Sequence, residues 1–488
     1  MPCTTILAGK KATYNGSTMI ARNDDNGNGH FEIKKFDVVL PEQQPRVYHS
    51  VLSHVTIDLP DNPMRYTAVP NTNPEAKGIW AAAGINAANV AMTATETITT
   101  NQRVLAGDPL VEYEPAQDGK AEKPGGIGEE DIVVLTLPYI HSAKEGVKRL
   151  GMLLEEYGTY ENNGIAFSDH DEVWFMETVG GHHWIARRLP DDCYSVIANQ
   201  FSEDIFDLED ATTTQKNFMA SADIREFIEA NHLNLSDGAF NARLAFGSHT
   251  DADHVYNTPR VWYGQRYFNP SDAVADPQDL VKGPQSNVLP WCRKAENKIT
   301  VEDIKYVLSS TYQDTPWSVF SKSPKAGLYR PIGINRTAFV SIAELCNDVP
   351  EEISAVEWLA FASNVYNAVV PVYTNITKAP AYFSDTKLDV NTNSFYWNCR
   401  LISALADAQH DACIVLIERY QQAVESKGRE ILLAGAKAFK AGDDAVAFCN
   451  EQDQKISDMA QAETAKLLND VLFTVTCMMH NIYNRSDN

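Results

Sequence analysis

The sequence predicts an α+β fold, with strands concentrated in the first half and helices in the second. Three observations lead there. Short β-prone runs separated by turn residues fill most of the chain up to about residue 200. The longest apolar faces at helical spacing lie after residue 350. Strand and helix do not alternate in the regular way that builds a parallel sheet.

Residues 3–8 form the first β-prone run. Asn15-Gly16 is a hairpin signal, because both residues tolerate the positive φ of a tight turn. Residues 18–22 then return as a second strand, bringing Cys3 and Arg22 together at the open end. A second hairpin is expected over 78–96, with strands at 79–85 and 90–95 and a turn at 86–89. Its alanine and glycine leave little side chain to pack, which predicts another layer close to the backbone.

Val147, Leu150, Leu153, Leu154 and Tyr157 recur at i, i+3, i+4 spacing. They predict a helix over 139–158, with Pro138 at the preceding break or in the first turn. Residues 164–201 read as a meander of runs at 164–168, 172–177, 183–188 and 194–199. Turns this short require antiparallel neighbours. Helical character is read at 300–310, 350–368, 396–425, 428–447 and 451–483. In the last of these, Leu467, Leu468, Val471, Leu472, Val475, Met478, Met479 and Ile482 share one face, suited to core or oligomer packing.

Composition narrows the function. The 488 residues carry a net charge of -24. Binding nucleic acid or anionic membranes calls for a basic surface, so neither is an expected partner. No run of about 18 apolar residues appears, so no membrane span is expected. The N-terminus lacks a basic start followed by an apolar stretch, so the expected compartment is the cytoplasm. Eight cysteines are scattered without a C-x-x-C pair, which predicts free thiols. No H-E-x-x-H, P-loop, G-x-G-x-x-G after a strand or G-x-S-x-G is present. His182 and His183 are read as adjacent strand residues on opposite faces, so they should not share a metal ion. No cofactor or metal is expected.

Cys3 is the residue with chemical promise. Were Met1-Pro2 removed, it would carry a thiol and a free α-amine together. Their unperturbed pKa values, about 8.5 and about 7.7–8.0, make the amine a suitable base for the thiol. Removing Met1 alone exposes Pro2, so a second cut is required. Attack of the Cys3 thiol on the Pro2 carbonyl would supply it.

A cysteine near an N-terminus is by itself incidental; its company here is not. Cys3-Thr4-Thr5-Ile6-Leu7, Gly16-Ser17-Thr18 and Ala21-Arg22-Asn23-Asp24-Asp25 resemble the opening of N-terminal-nucleophile amidases. More closely, they resemble the dipeptidase A family of bacterial cysteine dipeptidases, related to penicillin V acylase, bile salt hydrolase and the secernins. Gly84-Ile85-Asn86, Ala94-Thr95-Glu96, the stretches 172–178 and 183–186, Val196 to Phe201 and Tyr256-Asn257-Thr258-Pro259-Arg260 extend the likeness. It weakens after about residue 350.

The resemblance implies a four-layer αββα sandwich over 3–350, with a helical extension at 351–488 packed on it. It implies that Cys3 attacks the peptide carbonyl and that Arg22 favours its thiolate. It assigns Asp25 to the α-amine, Asn199 to the oxyanion, and Arg260 to the network or the substrate carboxylate. Thr95 and Glu96 stand where related amidases have an oxyanion asparagine. That departure leaves the second oxyanion donor open and makes the pair substrate-binding candidates. The expected substrates are dipeptides, and a homo-oligomer is expected. Two other readings follow from the same likeness: an N-acyl amide hydrolase, or a secernin-like scaffold without turnover.

Overall fold

The computed structural model describes residues 3–248, 250–271 and 283–479. β1 (Cys3–Ala8) and β2 (Thr18–Asp25) form the expected hairpin. Gly16 turns it at φ +79°, and Asn15 Oδ1 accepts from the Ser17 amide. Two small pairs follow: β3 (Asp37–Val39) with β6 (Tyr66–Ala68), and β4 (Val47–His49) with β5 (Thr56–Asp58). Next come β7 (Ala83–Ile85), β8 (Ala91–Thr97), β9 (Asn163–Ser168), β10 (Val173–Thr178), β11 (Trp184–Arg188), β12 (Tyr194–Ile197) and β13 (Phe218–Ala220). The last strands are β14 (Thr337–Leu345), β15 (Ala355–Phe361) and β16 (Val370–Tyr373).

These strands build two six-stranded antiparallel sheets, ordered β12-β1-β2-β14-β15-β16 and β13-β11-β10-β9-β8-β7. Period-2 alternation sends successive side chains to opposite faces, and each sheet is apolar on both. Leu7, Ile20, Ile197 and Ala343 of the first sheet pack between the layers against Ile85, Ala91, Ala166 and Phe175 of the second. On its outer face, Val356, Val370 and Val372 meet the C-terminal helices through Tyr420, Val424, Ile456 and Ala460. The second sheet covers Ile165, Phe167, Trp174 and Met176 with Val147, Leu150 and Leu154 of the helix Ala143–Tyr157. The result is helix, sheet, sheet, helix: an α+β protein with its core in three apolar layers. Each fully buried side chain of this size contributes roughly 1.5–3 kcal/mol. Packing is close enough that a Cβ on Gly146 would lie 2.4 Å from the Phe167 ring.

Several elements depart from expectation. The 78–96 hairpin has a short first strand, because Trp80 and Ala82 adopt positive φ (47° and 59°) and break the extended run. The meander holds for β9, β10 and β11, but β12 leaves it and pairs with β1 in the other sheet. The 350–368 segment is not a helix; apart from a short 3-10 turn it carries the fully buried strand β15. The helices Phe395–Asp407, His410–Ala438 and Ala445–Cys477 replace the boundaries read at 396–447 and 451–483; residues 480–483 lie outside the described residues. The expected division at 350/351 falls between β14 and β15, which hydrogen-bond to each other. The helical extension is therefore better begun after Tyr373.

Candidate active site

The site forms at the open end of the β1–β2 hairpin. Cys3 stands opposite Asp24, and Thr5 opposite Arg22. Alternation puts Cys3, Arg22 and Asp24 on the face turned toward the second sheet, with Leu7 and Ile20. Asn23 and Asp25 leave from the other face. Arg22 Nη2 lies 3.0 Å from Cys3 Sγ, 3.3 Å from Asp24 Oδ1 and 2.5 Å from Glu129 Oε1. Arg22, Asp24 and Glu129 are all fully buried. Burial opposes the Arg22 charge, but Cys3, Glu129 and Asp24 together hold the guanidinium well above its ordinary pKa. Lys34 adds a second buried cation 3.6 Å from Asp24, and donates to the Trp80 carbonyl. Burial lowers the Lys34 pKa, while Asp24 and Glu129 pull the other way.

Glu129 is the first residue of the helix Glu129–Thr136. A first-turn amide has no partner within its helix, and Glu161 Oε1 accepts this one at 2.7 Å. The Gly128 amide just ahead is taken by Asp131 Oδ2. The helix end is thus fixed by side chains, and it delivers Glu129 to Arg22.

Asn199 follows β12. Its Oδ1 accepts from the Cys3 amide at 3.1 Å, and its Nδ2 donates to the Thr97 carbonyl at the end of β8. Arg260 lies in the first turn of the helix Thr258–Phe268 and is fully buried. It donates to Thr4 Oγ1 at 2.9 Å, to Asn199 Oδ1 and Asn257 Oδ1 at 2.7 Å each, and to the carbonyls of Cys3 and Tyr256. One guanidinium thereby ties β1, the segment after β12 and its own helix into one unit.

Asp25 is buried and accepts from Arg330 Nη2 at 2.5 Å and from Thr337 Oγ1 at 2.6 Å. Arg330 and Arg260 each stack over the Tyr256 ring at 5.2 Å. Thr95 and Glu96 belong to β8, where the register shifts between Ala94 and Glu96; their side chains lie outside the described residues. Met1 and Pro2 also lie outside them.

The structure therefore brings Cys3, Arg22, Asn199 and Arg260 together, with Asp25 one residue along β2 on its opposite face. It adds Asp24, Lys34, Glu129, Asn257 and Arg330, which the sequence reading did not single out. Asp24 had a signal: i, i+2 spacing on a strand puts it beside Arg22. Glu129 had none, because an acidic first turn is ordinary helix chemistry. His182 and His183 do not point to opposite faces. They sit in the turn before β11, and both donate to Asp108, with Nδ1 distances of 3.0 and 2.7 Å.

The family model for peptidase family C69 matches residues 2–423. The chain belongs to peptidase family C69. It is 46% identical to a Bifidobacterium longum protein named dipeptidase, over the full length of both chains. It is 48% identical to a probable dipeptidase A of Streptococcus pyogenes serotype M3, again over both full lengths. A probable dipeptidase B of Lactococcus lactis shares 44% identity over 96% of this chain and 94% of its own. A solved conjugated bile acid hydrolase variant from Clostridium perfringens aligns with 79% of this chain and all of its own at 9% identity, with a TM-score of 0.30.

Proposed function

We propose that this peptidase is a cysteine dipeptidase with Cys3 as its nucleophile. The observation that carries the proposal is the 3.0 Å contact between Arg22 Nη2 and Cys3 Sγ inside a fully buried ion network. A fixed cation beside sulfur stabilises thiolate, the reactive form. Relatives named dipeptidase and probable dipeptidase A, matched over their full lengths, support dipeptides as the substrate class.

Self-cleavage comes first. The Cys3 thiol attacks the Pro2 carbonyl, the peptide bond to the Cys3 nitrogen breaks, and water hydrolyses the thioester. The amine so freed stays against Asn199 Oδ1; Asp25, expected to hold it, instead binds Arg330 and Thr337 on the opposite face of β2. In turnover, the amine takes the thiol proton and the thiolate attacks the dipeptide carbonyl. The tetrahedral intermediate collapses, the C–N bond breaks, and the leaving amine takes a proton from the α-ammonium. Water then attacks the thioester, gives its proton back to the α-amine, and releases the acid and the thiolate. Covalent catalysis divides one difficult hydrolysis into two easier steps. Asn199 is assigned to the oxyanion, its Nδ2 turning from the Thr97 carbonyl; Thr95 and Glu96 remain substrate-binding candidates.

The same reading places the protein in the cytoplasm as a homo-oligomer. All eight cysteines are free thiols, which suits a reducing compartment. Phe473, 73% exposed on the last helix, suits a subunit contact. Light scattering of the purified protein tests the second point. Turnover of Ala-Ala by wild type, beside Cys3→Ala, tests the nucleophile. The wild type should hydrolyse it and the variant should not; equal rates would remove Cys3 from the mechanism.

A further inference from the structure

A dipeptide has its free ammonium two bonds from the carbonyl carbon that is attacked. Any group that recognises that ammonium must therefore stand close to the nucleophile. Four carboxylates gather about the Cys3–Arg22 end of the hairpin: Asp24 and Asp25 on β2, Glu129 on Arg22, and Glu161 on the Glu129 amide. Three are committed. Asp24 and Glu129 are fully buried against Arg22, with Lys34 also on Asp24. Asp25 is buried against Arg330 and Thr337.

Glu161 differs in each respect. It is half-buried rather than buried. It lies two residues before β9, whose Asn163 stands opposite Thr97, the residue that holds Asn199. Its Oε1 is used by the Glu129 amide at 2.7 Å, and no cation among the described residues forms an ion pair with it. Burial raises its pKa and the neighbouring Glu129 charge raises it further, while the Glu129 amide and the Asn163 side chain act the other way. A half-buried carboxylate beside a second carboxylate is stabilised by a cation.

We infer that Glu161 is the specificity residue for the substrate's α-ammonium, with its second carboxylate oxygen as the acceptor. This rests on the dipeptidase reading and deepens it. It gives the site a reason to prefer free dipeptides over N-acyl amides, which present no charge at that point. A site built around such an ion pair penalises a substrate that lacks it, because the carboxylate is then left unpaired.

The test compares Ala-Ala with N-acetyl-Ala-Ala. Wild type should favour the free amine by at least about 100-fold in kcat/KM. Glu161→Gln keeps an oxygen for the Glu129 amide and removes only the charge. It should lower kcat/KM for Ala-Ala by about 10–100-fold, chiefly through KM, and leave the acetylated substrate unchanged. Glu161→Asp should recover part of the preference. Alkylation of Cys3 by iodoacetamide should proceed in Glu161→Gln, showing that the nucleophile is intact. If Glu161 only caps the helix, the variant loses stability but keeps the wild-type preference, and the inference is overturned. It is equally overturned if wild type cleaves both substrates alike. Ala-Ala turnover that survives Cys3→Ala is a separate outcome, which defeats the nucleophile assignment and not the role of Glu161.

Discussion

Arg22 Nη2 lies 3.0 Å from Cys3 Sγ, although the two residues come from different strands and are not opposite each other in register. The contact is diagonal across the β1–β2 pair. Glu129, from the start of the helix Glu129–Thr136, fixes the guanidinium at the same nitrogen. A buried cation held against a thiol favours its thiolate.

Replacing Arg22 separates its electrostatic role from its packing role. Arg22→Gln should slow iodoacetamide alkylation of Cys3 at neutral pH by about tenfold or more, because less thiolate is present. It should also destabilise the fold by about 3–5 kcal/mol, since Asp24 and Glu129 lose a buried partner. Thermal melts and alkylation rates on the same samples read both. An unchanged alkylation rate would mean that Arg22 serves the fold alone.

Arg260→Lys should be costly although it keeps the charge. A lysine has one nitrogen, whereas Arg260 serves Thr4, Asn199, Asn257 and two carbonyls from three. The expected loss is about 2–4 kcal/mol of stability, with a lower kcat because Asn199 is no longer held. Melting temperature and steady-state kinetics check this together.

Asp108 accepts both the backbone amide and the Nδ1 of His182 and of His183. Burial pushes its pKa up, but those four hydrogen bonds win and leave it below the usual range. For His183, burial pushes down, and Asp108 with Asp223 more than offsets it. The Asp108 contribution is present above the ordinary aspartate value and is lost as pH falls through its lowered one. The His183 contribution is present below about 6.5 and is lost as pH rises through its raised value. Asp108→Asn should cost about 2–3 kcal/mol near pH 6, and less at acid pH, as read by urea unfolding at several pH values.

Glu357 is buried on β15 and accepts from Ser341 Oγ at 2.8 Å and Thr67 Oγ1 at 3.1 Å. Burial pushes its pKa up from 4.5 to about 7. Between those values the folded protein keeps a proton that the unfolded chain gives up. Stability from this group therefore falls as pH rises through that window and levels off above it. Glu357→Gln should melt higher than wild type at pH 8, with the gap closing by pH 4.5. A gap independent of pH would contradict the assignment.

The local parts of this architecture were readable in the sequence, and the long-range parts were not. Asn15-Gly16 and the apolar runs beside it define β1 and β2 almost to the residue. The β9–β11 meander was equally plain, because its turns are short and polar. The strand β15 was read as helix because all of its residues are buried. A strand covered on both faces loses its alternation and looks like a buried helix segment. β12 follows a short turn after β11, and nothing local says that it crosses to the other sheet. At the site, Cys3 stood out by its place in the chain, and Arg22, Asp25, Asn199 and Arg260 came from resemblance, while Glu129 and Arg330 emerge only once distant segments are packed.

The most direct test of the central claim is the intact mass of freshly purified wild type beside Cys3→Ala. The account predicts that wild type lacks Met1-Pro2 and that the variant keeps Pro2, because the thiol that becomes the nucleophile also frees its own amine. If both proteins keep Pro2, no α-amine exists at Cys3, and the proposed base is wrong.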